Sequence, residues 1–229
     1  MKYHNVIRGK FISRPNRFIA HIDIDGREEV CHVKNTGRCK EILIPGTEVW
    51  LEIGDNPNSK TKYSLVTAKK GDMLINIDSQ APNKLVREWI EAGNVLKDVD
   101  LLKSEYTYGN SRFDFYAECG EEKHLIEVKG VTLENDGHLS FPDAPTERGA
   151  KHLKELTEAL DKGYICHVIF VIQMEKGRLL TANIEHDPKF ADRLKEAYRA
   201  GVKVHTIRCK VTEDEVIPYN DDCIFAPEI

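Results

Sequence analysis

Two short alternating runs joined by one tight turn constrain this chain more than any other stretch. Ser111-Arg112-Phe113-Asp114-Phe115-Tyr116-Ala117-Glu118 and His124-Leu125-Ile126-Glu127-Val128-Lys129-Gly130 both read as strands with period two. Cys119-Gly120-Glu121-Glu122 lies between them. A two-residue turn at Gly120-Glu121 puts glycine at the first central position, where φ must be positive. The register that follows sets Asp114 directly across from Glu127. Phe113, Phe115, Ala117, Ile126 and Val128 then share one apolar face. Arg112, Asp114, Tyr116, Glu127 and Lys129 share the other, with Leu125 the one misfit.

Opposed Cβ atoms in such a pair are about 4.5–5.5 Å apart, where like charges repel. Two carboxylates at that spacing call for a neutralising partner, and a hard divalent cation, Mg2+ or Mn2+, suits their oxygens. Lys129 projects beside them, where an ammonium can orient a water or stabilise a pentavalent phosphate. This arrangement resembles the PD-(D/E)xK nuclease site. The acid-x-Lys tripeptide alone is a weak signal, because Glu121-Glu122-Lys123 and Asp187-Pro188-Lys189 match it too. The upstream aspartate at hairpin register is what sets the third match apart. The competing reading is an edge hairpin with a solvated face and an ordinary Glu–Lys pair.

The surrounding pattern divides the chain near residues 79–82. Residues 1–80 read as short strands at 5–13, 18–24, 29–33, 47–53, 63–69 and 73–77. Turn signals at Asp25-Gly26, Pro45-Gly46 and Lys70-Gly71-Asp72 and a loop at Asp55-Asn56-Pro57-Asn58 separate them. That many short strands with little helix suggest an OB-like β-barrel. Residues 81–229 read differently. A helix over 82–92 is stopped by Gly93, a strand covers 101–108, and the hairpin follows. Next come a helix over 142–162, with Leu153, Leu156 and Leu160 as its buried stripe, and a nearly continuous apolar strand at 164–173. A helix from Asp187-Pro188 to Ala200, closed by Gly201, precedes a final strand at 202–208. The order α-β-β-β-α-β is that of a restriction-endonuclease-like α/β domain of the PD-(D/E)xK type. The fold class is therefore a two-domain α+β and α/β chain, with the OB-like barrel first.

Charge supports a division of labour. The formal net charge is −5, but residues 1–80 carry 13 Lys and Arg against 10 Asp and Glu, so the excess acid lies in the second part. A mildly basic barrel and an acidic second domain suit phosphate binding and metal binding respectively. The six cysteines form no C-x-x-C pair and match no zinc spacing. With no secretory h-region and no apolar run of membrane-spanning length, the expectation is a reduced, soluble, cytoplasmic protein. The oligomeric state is left open.

Four stretches carry a resemblance to the sugar fermentation stimulation protein A (SfsA) family. They are Val33-Lys34-Asn35-Thr36-Gly37-Arg38, then Asn83-Lys84-Leu85-Val86, then the hairpin continued through Gly130-Val131-Thr132-Leu133. The last is Phe141-Pro142-Asp143-Ala144-Pro145-Thr146-Glu147-Arg148-Gly149-Ala150-Lys151-His152-Leu153. Cys39 after Asn-Thr-Gly-Arg and Pro145 before Thr146 depart from the expected pattern, and neither touches the acidic site. The resemblance implies an OB-like N-terminal domain, a nuclease-like C-terminal domain and DNA binding. The family's name reflects a proposed regulatory role in the use of sugars, maltose in particular.

Further residues fall into place around this frame. Glu88, on the first helix of the second domain, either adds an acid to the metal site or sits on a solvated helix face. Asp143 and Thr146 are expected helix caps. Arg148 and Lys151 share a helix face and either reach a scissile phosphate or lie in solvent. Asn35 and Arg38 sit in a loop whose side chains and N–H groups suit phosphate, or which uses Asn and Gly simply to turn. Arg14, Arg17, Lys34 and Lys40 extend that basic surface, with Phe11, Phe18 and Tyr63 as base-stacking candidates if they are not barrel core. No helix-turn-helix signature is present, which favours sequence-nonspecific over specific DNA binding.

Two functions follow. In the first, Asp114 and Glu127, joined by the Val128 carbonyl and with Glu88 as a further candidate, hold one Mg2+ or Mn2+, and Lys129 assists phosphodiester hydrolysis in DNA. In the second, the chain is a non-catalytic DNA-binding regulator of sugar-utilisation genes built on a nuclease scaffold. A sugar-binding role has only the family name behind it.

Overall fold

The computed structural model describes residues 1–55, 60–219 and 223–226. The expected loop at Asp55-Asn56-Pro57-Asn58 lies, beyond Asp55, outside the described residues. Six strands come first: β1 (Val6–Asn16), β2 (Ile19–Ile24), β3 (Arg27–Val33), β4 (Glu48–Ile53), β5 (Tyr63–Lys70) and β6 (Met73–Asn76). They are ordered β3-β2-β1-β4-β5-β6, and parallel pairing of β3 with β5 closes five of them into a barrel. Closure leaves those strands no free edge. Asp25 and Gly26 both have positive φ, as a type I′ turn requires. Between the paired strands β1 and β2 the side chains crowd so closely at Gly9 that a Cβ there would lie 2.6 Å from Ile22 Cγ2. The interior holds Ile22, Cys31, Val33, Leu51 and Leu65, the inward residues of four strands.

Helix α1 (Ala81–Glu91) leads into β7 (Leu101–Tyr108), β8 (Ser111–Cys119) and β9 (Glu122–Val131), and then into β10 (Leu133–Asn135) and β11 (His138–Phe141). Then come α2 (Glu147–Leu160), β12 (Ile165–Ile172), β13 (Leu179–Ala182), α3 (Pro188–Ala200), β14 (Lys203–Val211), β15 (Val216–Tyr219) and β16 (Ile224–Phe225). The main sheet is ordered β15-β14-β12-β9-β8-β7, with β9, β12 and β14 parallel. Helix α1 covers one face, while α2 and α3 pack together on the other side of β12. That sandwiching explains why β12 reads as continuously apolar and is buried along almost its whole length. A second sheet, β10-β11-β13-β16, was not visible as strand pattern in the sequence. Among the described residues no helix is long and apolar enough to cross a membrane.

Two sequence expectations need correction. Strand β14 is not the last, because β15 turns back on it antiparallel. Helix α2 starts at Glu147 and not at Pro142. The Phe141–Pro142 peptide is cis, and the five residues after Phe141 precede the helix. Thr146 caps α2 through the Gly149 N–H at 3.0 Å. Asp143 caps nothing; its carboxylate accepts the N–H of Arg38 in the barrel at 2.9 Å. Asp187 caps α3 as expected, accepting the Phe190 N–H at 2.9 Å, and its other oxygen accepts the Thr146 N–H at 2.7 Å. One aspartate thus ties the starts of α2 and α3.

The barrel and the α/β domain are fused by a buried polar seam. The Asn76 N–H donates to the Gln173 carbonyl at 2.9 Å, and Ile75 bridges to Met174. The Gln173 side-chain amide donates to Asn76 Oδ1 at 2.8 Å and to the Asn76 and Asp78 carbonyls at 3.0 Å. The segment before β1 docks onto the far end of the main sheet, with the Tyr3 N–H donating to Asp214 O at 2.8 Å.

Three histidines on adjacent strands form a relay through the main sheet. His124 Nδ1 is 3.0 Å from His167 Nε2, and His167 Nδ1 is 3.0 Å from His205 Nε2. Burial lowers the pKa of all three, opposed at His124 by Glu122, and takes His167 from 6.5 to about 3. The unfolded chain therefore binds more protons than the fold once pH drops below about 6.5. Stability is complete above that value and is lost as pH falls toward the depressed ones. The expected loss is on the order of a few kcal/mol. Melting temperature followed against pH should fall more steeply in the wild type than in His167→Phe, and equal slopes would remove the relay as the cause.

Candidate active site

The hairpin has the predicted register. Cys119 pairs with Glu122 and Phe115 with Ile126, and Gly120 carries the positive φ of 60° that the turn requires. One step beyond Phe115 the backbone ladder gives way to a side chain. Asp114 Oδ2 accepts the Val128 N–H at 2.8 Å. The strict alternation breaks at the same place. Phe113 packs beside His152 of α2, at a ring-centroid distance of 5.5 Å, whereas Phe115 lies beneath Arg87 of α1. Glu105, the β7 residue between the partners of Phe113 and Phe115, has a left-handed φ of 56°. The strand irregularity turns Asp114 toward α1, where its Oδ1 accepts from the Asn83 amide at 2.8 Å. The expected clean division into an apolar and a polar face is therefore corrected. Leu125 is no misfit, because α2 covers its side of β9. Nor is the hairpin an edge with a solvated face, since β7 and β12 flank it and Glu127 is 4% exposed.

Glu127 is held asymmetrically. Its Oε1 lies 2.5 Å from Lys129 Nζ and 2.6 Å from His152 Nδ1. Its Oε2 is buried and has no hydrogen-bond partner. Burial alone would raise the Glu127 pKa, but the Lys129 charge and the His152 hydrogen bond outweigh it and hold the carboxyl below its ordinary range. Asp114 goes the other way: burial first, then the Glu127 charge, raise it against the Val128 and Asn83 hydrogen bonds. One carboxylate is thus firmly ionised, and the other resists ionising beside it. A partnerless buried oxygen next to a second, charge-strained carboxylate suits a hard dication, although no group of three or more His, Cys, Asp or Glu placed to hold a metal occurs among the described residues.

Glu88 is not part of this cluster. Its carboxylate is exposed on α1 and lies 3.4 Å from the Met1 amine. The α1 residue that reaches the site is Asn83, five residues earlier and on a different face of the helix. Asn83 and His152 are the members that pattern reasoning on carboxylates and lysines overlooked, although both lie in the family-like stretches.

Next to His152, a pocket of about 630 Å³ opens between α2 and the start of β8, lined by Arg112, Arg148, Lys151 and Lys189 among others. Arg148 Nε points at His152 Nε2 from 3.4 Å, and Lys151 Nζ donates to the Asn110 carbonyl at 3.0 Å. Both helix-face cations therefore flank the site, Arg148 through His152 and Lys151 at the rim.

A second cleft, about 750 Å³, lies between the barrel and the α/β domain, reaching Gly130 just after Lys129. The expected phosphate-binding residues here divide into two roles. Arg14 is committed to the loop itself, donating to the carbonyls of Asn35, Gly37, Arg38 and Arg17 at 2.6–2.9 Å. Asn35 is likewise committed, accepting the Gly37 N–H and donating to the Ile77 carbonyl. A Cβ at Gly37 would lie 2.3 Å from Asp143 Oδ2 and displace the Asp143 and Asn35 side chains. Arg17, Arg38 and Lys40 remain exposed around this shaped loop. Lys34 pairs with Glu52 and Asp78. Phe11 and Tyr63 are barrel core, the alternative reading to base stacking, whereas Phe18 is 55% exposed.

Residues 12–77 match the family described as SfsA N-terminal OB domain, and residues 80–215 match the sugar fermentation stimulation protein RE domain family. A sugar fermentation stimulation protein homolog of Clostridium beijerinckii is 57% identical over 216 residues, covering 94% of this chain and 96% of the relative. One from Desulfitobacterium hafniense (strain DSM 10664 / DCB-2) is 54% identical over 216 residues, covering 94% of each. Among solved structures, that of Pyrococcus furiosus SfsA in complex with Ca2+ superposes with a TM-score of 0.86 at 27% identity, over 95% of both chains.

Proposed function

The chain belongs to the SfsA family, and on that premise we propose that it is a cytoplasmic DNA-binding protein whose α/β domain hydrolyses phosphodiester bonds with a bound Mg2+ or Mn2+. The observation that carries this reading is the buried, partnerless Oε2 of Glu127 beside Asp114. A pure binder has no use for two apposed carboxylates, which repel phosphate unless a cation lies between. The P. furiosus relative was solved in complex with Ca2+, a hard dication of the kind these oxygens suit.

Asp114 and Glu127 would hold the ion, with the Val128 carbonyl as the third candidate. A dication bound there supplies a water of lowered pKa and positive charge for the leaving oxygen. The Val128 N–H and the Asn83 amide keep Asp114 aimed. Lys129, already at the Glu127 carboxylate, orients the attacking water and meets the charge that builds on the phosphate. Arg17, Arg38 and Lys40 on the barrel, with Arg148 and Lys151 on α2, bind the DNA backbone. All five are exposed cations suited to phosphate contact, which favours sequence-nonspecific binding.

The test is incubation with single-stranded, duplex and branched DNA, each with Mg2+, Mn2+ or EDTA. Cleavage in metal and none in EDTA is the expected result. The second reading, a non-catalytic regulator of sugar-utilisation genes, draws on the basic barrel rim, which needs no metal. Binding without cleavage in every condition would favour it. On either reading Arg38→Ala should weaken DNA binding at all sequences and reduce the slope of log affinity against log salt by about 1. An unchanged slope would take Arg38 out of the interface.

A further inference from the structure

Glu127 receives help from its own strand through Lys129, but the only hydrogen bond or ion pair to its carboxylate from another element among the described residues comes from the imidazole of His152. We propose that His152 is a positioning residue for the metal site, holding Glu127 Oε1 so that Oε2 stays directed at the cation. Helix α2 thereby sets the affinity of β9 for a divalent ion. This inference rests on the metal reading of the site.

The hydrogen bonds assign the ring. An ionised carboxylate only accepts, so Nδ1 carries the proton donated to Oε1 at 2.6 Å. Arg148 Nε only donates, so Nε2 presents its lone pair there at 3.4 Å. Contacts at both nitrogens fix the plane of the ring, and Phe113 packs edge-on against it. His152 is 3% exposed, on a helix whose start is pinned by Thr146 and Asp187. Lys129 is poorly suited to the same task. Its side chain has four rotatable bonds, and its proposed work at water and phosphate takes its ammonium away from Oε1. When that happens, His152 is the donor that still restrains Glu127. Outer-shell partners of metal ligands typically control affinity by about 10–100-fold.

The experiment is calorimetric titration of Mn2+ into the full chain without DNA, for wild type, His152→Asn, His152→Gln and His152→Leu. An asparagine amide nitrogen can take the place of Nδ1, whereas that of glutamine takes the place of Nε2. His152→Asn is expected to bind Mn2+ within a few-fold of wild type, and His152→Gln and His152→Leu at least about tenfold more weakly. Equal affinity in the Asn and Gln variants would overturn the role of His152 while leaving the metal site standing. A wild type that takes up no Mn2+ would overturn the metal reading and this inference together. If His152→Leu fails to fold, the Asn–Gln contrast decides alone, because both are polar amides.

Discussion

Glu127→Gln is expected to lower metal-dependent DNA cleavage by about a thousandfold or more, with no change in shape. The amide keeps the volume of the side chain and removes its charge. The ion then loses the one carboxylate that is reliably ionised in the fold, and Lys129 loses the anion 2.5 Å from its ammonium. A second readout exists without metal or DNA. The Glu127 charge is the second-largest cause, after burial, of the raised Asp114 pKa, so the substitution should bring Asp114 down toward its ordinary range. Carbon-detected titration of the Asp114 carboxyl would show it. The other two members have different signatures. Asp114→Ala should lose both Mn2+ binding and cleavage. Lys129→Ala should lose cleavage but still bind Mn2+, because removing an ammonium from Glu127 strengthens the field on the ion. Wild-type cleavage rates in all three would remove the assignment of this site.

Gln173→Leu is expected to be the most damaging conservative change away from the site, costing roughly 3 kcal/mol or more. One amide nitrogen serves three acceptors, the Asn76 carbonyl, Asn76 Oδ1 and the Asp78 carbonyl, in a fully buried setting. A leucine has similar volume and removes this donor from all three; the Asp78 carbonyl keeps the Ala81 N–H at 3.1 Å, and each buried group left unsatisfied costs about 1–3 kcal/mol. For a chain of this size the melting temperature should fall by about 6–12 °C. Scanning calorimetry checks it; a shift within about 2 °C would mean that solvent reaches the seam. Gly130→Ala attacks the same amide from the other side, since its Cβ would lie 2.4 Å from Gln173 Oε1 and 2.9 Å from Pro82 Cγ.

Local chemistry made much of this legible. The barrel strands follow their alternation, and the hairpin register as far as Phe115–Ile126 follows from one glycine at a turn. What the sequence hid depends on distant partners. Pro142, Asp143 and Pro145 look like the start of a helix, but Asp143 is claimed by an N–H from the barrel. Glu88 looked as suitable as any acid on α1, and only the phase of the helix against β8 selects Asn83 instead. Leu125 read as an error because the helix that covers it is more than twenty residues away in sequence. His152 gave no signal as a ligand supporter, because its role exists only where α2 crosses β9. Arg14 and Arg38 are indistinguishable as cations in a sequence; four carbonyl acceptors separate them.

The seam at Asn76 and Gln173 carries one more consequence. Main-chain pairing runs from β6, beside the barrel, into the residues just after β12, so the two halves share a spine and are not joined by a hinge. Hydrogen exchange at the Asn76 N–H, which donates to the Gln173 carbonyl, should then require global unfolding and not a breathing of one half against the other. A cleft with such walls does not close on its guest. On the proposed function, a nucleic acid reaching Lys129 from the barrel side would have to bend, fray or thread into this gap, and selection among DNA forms would turn on which strand deforms most cheaply.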